Sequence, residues 1–141
     1  MGHVDPVRVV ADTHALVWYL LDDPDRRLSP DALTALEQAE STDGIAVSVA
    51  SVVDLWYVIR TRGTFTDDQL DQVVELLRDP ESSLEAEPIT LDVAAAFRQI
   101  PRDALGDPWD RFITATAMAL GLPLVTRDRR ICESGLVETI W

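Results

Sequence analysis

Four short runs rich in β-branched and apolar residues constrain this chain more than any other feature. They are VRVV at 7–10, IAVSV at 45–49, LPLVT at 122–126 and LVETI at 136–140. Each has the length and composition of a strand. The stretches between them read as helices. Residues 13–21 are amphipathic, and Ser29-Pro30-Asp31 caps a segment that runs to about residue 39. Residues 51–60 follow the second run directly. Thr66 opens a helix through Arg78, with Leu70, Val73, Val74 and Leu77 at helical spacing. Thr90 caps another, carrying Val93, Ala94 and Phe97. Residues 109–120 form the most apolar helix, which stops at Gly121. A weaker run at 84–89 contains Glu85, Glu87 and Pro88, which predicts an edge strand. Residues 79–83 read as a surface loop. Strands alternating with helices predict an α/β fold with a mainly parallel sheet covered on both faces.

The chain has 141 residues with 47% apolar content, which suits one domain spanning residues 1–141. No repeat, low-complexity tract or linker divides it. No apolar run approaches the roughly 20 residues that cross a bilayer. The opening MGHVDPVRVV lacks the basic-then-apolar order of a secretory leader, so a cytoplasmic location is expected, with His3 in a frayed terminus. A single cysteine, Cys132, excludes an internal disulfide and a multi-cysteine zinc site. The net charge is −13, and all twelve basic residues are arginine. Without lysine there is no P-loop phosphate clamp, no Schiff base, and no lysine partner for a phospho-acceptor aspartate. The receiver-domain reading therefore fails. The acidic balance argues against broad duplex binding, which works by neutralising phosphates. It leaves room for a nucleic acid held by a local arginine patch or through cations.

In parallel sheets ligands bind beyond the carboxyl ends of the strands, so the acids placed there matter most. Asp12 follows the first run, in VVADTHAL. Asp128 follows the LVT run, and Asp110 stands in the first turn of the helix leading into it. Asp54 lies one turn into the helix after the second run. Asp12 and Asp110 could simply serve helix starts, and Asp128 a turn. Asp54 is harder to dismiss. It sits in the apolar stretch 49–59, where a carboxylate needs a cation, donors or an exposed face. Four carboxylates that converge without cysteine would suit hard cations, magnesium or manganese. Such a site supports in-line phosphodiester cleavage. In GDPWDR, Asp107 fits an N-cap, Pro108 the first helical position and Asp110 the third.

The segments VVADTHALVWYL, VSVASVVDLW, DPWDRFITATAMALGLPLVTRD and VETIW, in order along nearly the whole chain, resemble the PIN-domain family. They are most similar to its VapC-type toxins. The resemblance implies a single PIN-like domain and a toxin that is a Mg2+- or Mn2+-dependent endoribonuclease. It also implies a cytoplasmic homodimer held in check by a cognate antitoxin. Asp12, Asp54, Asp110 and Asp128 match the family's four metal-binding and catalytic acids. Thr13 and Thr126 match supporting hydroxyls, and Asp107 an additional acid. The second acid is usually glutamate, and Asp54 is shorter by one methylene. Either its helix approaches the metal more closely or a water bridges the gap.

Arg111, Arg127, Arg129 and Arg130 flank the last two acids and are candidates for guiding RNA phosphates. His14 is expected to pack or hydrogen-bond near the site. Trp18, Trp56, Trp109 and Trp141 are expected as core or interface anchors rather than base-stacking platforms. The face carrying Val52, Leu55 and Ile59 is expected in the core or against a partner. The competing function is a catalytically weak or inactive interaction module that acts mainly by binding its antitoxin.

Overall fold

The structure is a computed structural model and describes residues 5–21, 23–63 and 65–141, so His3 lies outside it. Along the chain run β1 (Val9–Ala11), α1 (Thr13–Leu20), α2 (Pro30–Ser41), β2 (Ile45–Ser48), α3 (Val49–Arg62) and α4 (Asp67–Arg78). There follow β3 (Leu84–Glu87), α5 (Leu91–Gln99), α6 (Pro108–Leu120), β4 (Leu124–Val125), α7 (Arg129–Ser134) and β5 (Thr139–Ile140). The strands form one sheet in the order β3-β2-β1-β4-β5, and every pairing is parallel. This is the α/β architecture that the alternation of runs predicts.

Strand residues alternate between two cores. Val9, Ala11, Ile45, Val47 and Val125 pack with Leu16 of α1, Leu36 of α2, Leu55 of α3 and Val73 of α4. Val10, Ala46 and Leu124 point the other way, into Val93 of α5, Ile113 of α6 and Ile131 of α7. Period-two alternation between two apolar layers explains why residues 9–11, 45–47 and 124–125 are all apolar. The chain first moves outward from β1 to β2 to β3, then returns past β1 to β4. Right-handed crossovers travelling in opposite directions must lie on opposite faces of the sheet. Hence α1 to α4 cover one face and α5 to α7 the other.

The edge strand is β3, as its glutamates suggest. Arg8 reaches across to both of them, 3.4 Å from Glu85 and closer still to Glu87. Charges on an exposed edge discourage pairing with another chain. Gly44 enters β2 at φ +98°, and a Cβ there would stand 2.9 Å from the Ser83 carbonyl oxygen. Only glycine satisfies both conditions.

Two elements depart from expectation. The first run enters the sheet only at Val9, because Val7 bonds to the α2–β2 turn instead: its N–H donates to Thr42 Oγ1 at 3.0 Å. Helix α7 has no counterpart in the sequence reading. Six residues give no apolar periodicity, and the helix is fixed by its ends, Asp128 as N-cap and Gly135 at φ +69°.

Candidate functional site

The sheet order reverses direction between β1 and β4, and a crevice opens there beyond their carboxyl ends. A cavity of about 600 Å³ occupies it. Its walls include Asp12, Asp54, Asp107, Asp110 and Asp128 together with Thr13. All four acids singled out in the sequence thus come to one place from β1, α3, α6 and the β4–α7 junction.

Local folding fixes each of them. Asp12 is the N-cap of α1, and the Ala15 N–H donates to its Oδ1 at 2.8 Å. Asp128 caps α7 in the same way, with the Ile131 N–H donating to Oδ1 at 3.1 Å. Each cap engages one carboxylate oxygen and leaves the other for the cavity. Thr126 ties the two together. Its hydroxyl donates to Asp12 and accepts from the Asp128 N–H at 3.1 Å. Thr126 is fully buried, so this bridge has no competition from water. The Thr13 hydroxyl is buried with no partner among the described residues.

At the start of α6 the two aspartates divide their work. The N–H groups of Trp109 and Asp110 donate to Asp107 Oδ1 at 2.8 and 3.4 Å. Such a cap stabilises a helix by about 1 kcal/mol. Asp110 does not return the bond in a capping box, so its carboxylate is left to the cavity. Burial first, then the charges of Asp107, Asp128, Asp12 and Asp54, push its pKa up to about 7. Every other acid of the cavity acts on this one group. Asp12 is also raised, chiefly by burial, against the lowering effect of Thr126 and the Ala15 N–H. Asp54 is half-buried on α3, inside the cavity wall.

The donor set suits a hard divalent cation: carboxylates only, crowded enough to resist joint ionisation. Among the described residues, no three acidic, histidine or cysteine side chains already stand close enough to hold an ion. The chemistry of the residues fits such an ion, and Asp12, Asp54, Asp110 and Asp128 are the ones that would hold it.

The rest of the cavity has a different character. His14, Trp18, Arg27, Val58, Phe65 and Arg127 line it. The guanidinium carbons of Arg127 and Arg27 lie 4.7 and 5.4 Å from the Trp18 ring centroid. His14 packs on the same indole at 5.5 Å, as its position beside Asp12 suggests. Arg27 escaped the sequence reading because it stands in a polar turn, DDPDRRLSP, with no motif to mark it. Of the four arginines proposed for phosphate guidance, only Arg127 lines the cavity. Arg111 has other work. It donates to the carbonyls of Ile100, Pro101 and Leu105 at 2.8 to 3.2 Å and stacks on Phe97. Arg129 pairs with Glu133 on the surface, and Arg130 lies beside Gly106.

The remaining aromatics separate by face. Trp141 packs edge-on against Trp18 at 6.0 Å, in the core. Leu55 is buried as expected, with Val52 and Ile59 partly so. The opposite side of α3 exposes Val53, Trp56 and Tyr57, and Tyr57 packs on Trp109 at 5.6 Å.

A family profile for the PIN domain matches residues 9–135. The chain is 34% identical over 124 residues to ribonuclease VapC22 of Mycobacterium tuberculosis, covering 87% of this chain and 88% of the relative. Its fold is similar to a chain of the Rickettsia felis VapBC2 complex bound to a promoter DNA fragment. There the TM-score is 0.69 at 15% identity, over 94% of this chain and 97% of the other. A chain of the DNA-bound VapBC complex of Salmonella typhimurium gives a TM-score of 0.67 at 18% identity, over 94% and 96%.

Proposed function

The chain belongs to the PIN-domain family, and from that premise we propose that it is the toxin of a toxin–antitoxin pair, an endoribonuclease that needs a divalent cation. The observation that carries this reading is the convergence of Asp12, Asp54, Asp110 and Asp128 on one cavity at the sheet's switch point. A relative 34% identical to the chain, matched across most of both chains, is named a ribonuclease.

Asp12, Asp54, Asp110 and Asp128 would hold Mg2+ or Mn2+. When bound, the ion supplies a water nucleophile at neutral pH and offsets charge on the phosphate. The chain's own part is preorganisation. Helix caps lock one oxygen each of Asp12 and Asp128, and the Thr126 bridge fixes their relative position. Asp110, protonated for part of the time near neutral pH, gives up its proton when positive charge arrives. Asp54 reaches in from α3 on a side chain one methylene shorter than glutamate.

Two kinds of partner follow from the same reading. Structures similar to this chain are of VapBC complexes, one of them described as a member of the VapBC family of toxin–antitoxin systems, and a cognate antitoxin is proposed for this chain. The exposed Val53, Trp56 and Tyr57 on α3 make that face the best candidate for a homodimer contact. No helix among the described residues is long and apolar enough to cross a membrane. The proposed site of action is the cytoplasm.

The test is cleavage of structured RNAs by the purified protein with Mg2+ or Mn2+, beside Asp12→Asn and Asp110→Asn. Both substitutions should lower the rate at least about a hundredfold, in line with the loss of a central electrostatic group. Cleavage that survives both unchanged would overturn the site. A protein that neither cleaves nor binds cations would instead be the interaction module.

A further inference from the structure

We propose that Arg127 and Arg27, stacked on Trp18, form a phosphate-binding wall that holds the RNA strand beside the bond being cut. The proposal rests on the nuclease reading and adds to it the way substrate is positioned. Three observations carry it. Both guanidiniums lie over one indole, at 4.7 and 5.4 Å, and both line the cavity that contains the acids. Arg127 is exposed and makes no ion pair among the described residues, in a chain of net charge −13. Trp18 is only 7% exposed and is hemmed in by His14 and Trp141, so it offers no open face to a base.

The chemistry follows from these positions. A guanidinium stacked on an aromatic ring keeps its N–H donors in plane and directed outward, the geometry that grips a phosphate bidentately. The two arginines are not equivalent. Arg27 is anchored by Asp25 at 2.5 Å and by Asp23 at 3.9 Å, so its orientation is fixed and part of its charge is already compensated. Arg127 makes no ion pair within 4.0 Å among the described residues and directly precedes Asp128 in the chain. One cavity is therefore lined both by acids that a cation would neutralise and by two arginines that can take an anion directly. A single RNA strand can satisfy both with neighbouring phosphates. Contacts of this kind position the strand without reading its sequence.

The experiment measures binding of fluorescent oligouridylate and oligoadenylate with Mg2+ across a salt series. It uses the Asp110→Asn protein, so that the RNA stays intact. Adding Arg127→Ala should weaken binding of both oligonucleotides alike, by about tenfold. It should also lower the slope of log K against log salt by about 0.7, the share of one phosphate contact on a single strand. Arg27→Ala should act in the same direction and less strongly. Arg127→Lys should preserve the salt slope while losing affinity, because it keeps the charge and loses the fork. Thermal melts run beside each variant separate folding from binding. In the cleavage-competent protein, Arg127→Ala should raise KM and leave kcat nearly unchanged.

Several results would overturn the proposal. If affinity and salt slope stay unchanged while the parent still binds RNA, the wall fails and the nuclease reading stands. A lower melting point with an unchanged slope would mean that the arginines only pack on Trp18. Loss of binding to one oligonucleotide and not the other would mean a base contact instead. A parent protein that binds neither oligonucleotide would remove the wall, while the nuclease reading is decided separately by cleavage of structured RNAs by the wild type.

Discussion

Asp110 is the residue on which the site's electrostatics converge. Its pKa near 7 means that the folded, cation-free protein holds a proton that the unfolded chain releases near pH 4. A folded state that binds more protons loses stability as pH rises, here across the window from about 4 to about 7. Asp110→Asn removes the charge and keeps the shape. In the absence of divalent cations it should raise stability at pH 7.5 by about 1–2 kcal/mol, after allowing for screening at a half-exposed group. At pH 4 the gain should vanish, and urea unfolding at the two pH values reads both. An equal effect at both would mean that repulsion in the cavity is not what raises this group. The sequence disclosed Asp12, Asp110 and Asp128 because each stands at a strand exit or a helix start, and Asp54 because it interrupts an apolar stretch. It did not disclose that Arg111 would turn to three carbonyls while Arg127 stayed in the cavity. Both flank an aspartate, and only the packing of the α5–α6 loop separates them.

At the scale of elements, the loop between α5 and α6 sets the position of Asp110. Nothing in its sequence, IPRDALGD, holds it by regular structure. Arg111 does so instead, by donating to Ile100, Pro101 and Leu105 carbonyls. Arg111→Ala should therefore cost about 2–4 kcal/mol of stability, since it strands acceptors that a charged donor had satisfied. RNA affinity of the folded protein should stay nearly unchanged. A stability loss no greater than that of the exposed Arg129→Ala would show that the loop is held otherwise. Strands β1, β2, β4 and β5 and the longer helices were readable from apolar runs, spacing and caps, and β3 as a weaker edge run. Helix α7 and the turn carrying Arg27 were not. One is too short for a period, and the other gains meaning only from Trp18, which is distant in the fold's logic but adjacent in space. Strand order was equally hidden, since nothing local says that β4 returns to the far side of β1.

For the molecule as a whole, a charge of −13 makes cations part of its thermodynamics. Ions that bind only the folded state raise its stability by mass action, about 2.7 kcal/mol at a hundred times Kd. Titrating Mg2+ or Mn2+ should raise the melting temperature of the wild type markedly more than that of Asp110→Asn or Asp12→Asn. Equal shifts in all three would point to diffuse surface binding. The parallel sheet has a further consequence. Pairing of Val10 with Leu124 joins the first strand to the fourth across most of the chain, and the acids are spread from residue 12 to residue 128. Domains fold from the N-terminus while they are being synthesised, yet this cavity has no wall until β4 and α7 exist. A chain cut short before residue 124 lacks that wall and, on the nuclease reading, should cleave no RNA. The site is therefore completed in one late step, when β4 and α7 dock beside β1, and is not assembled acid by acid.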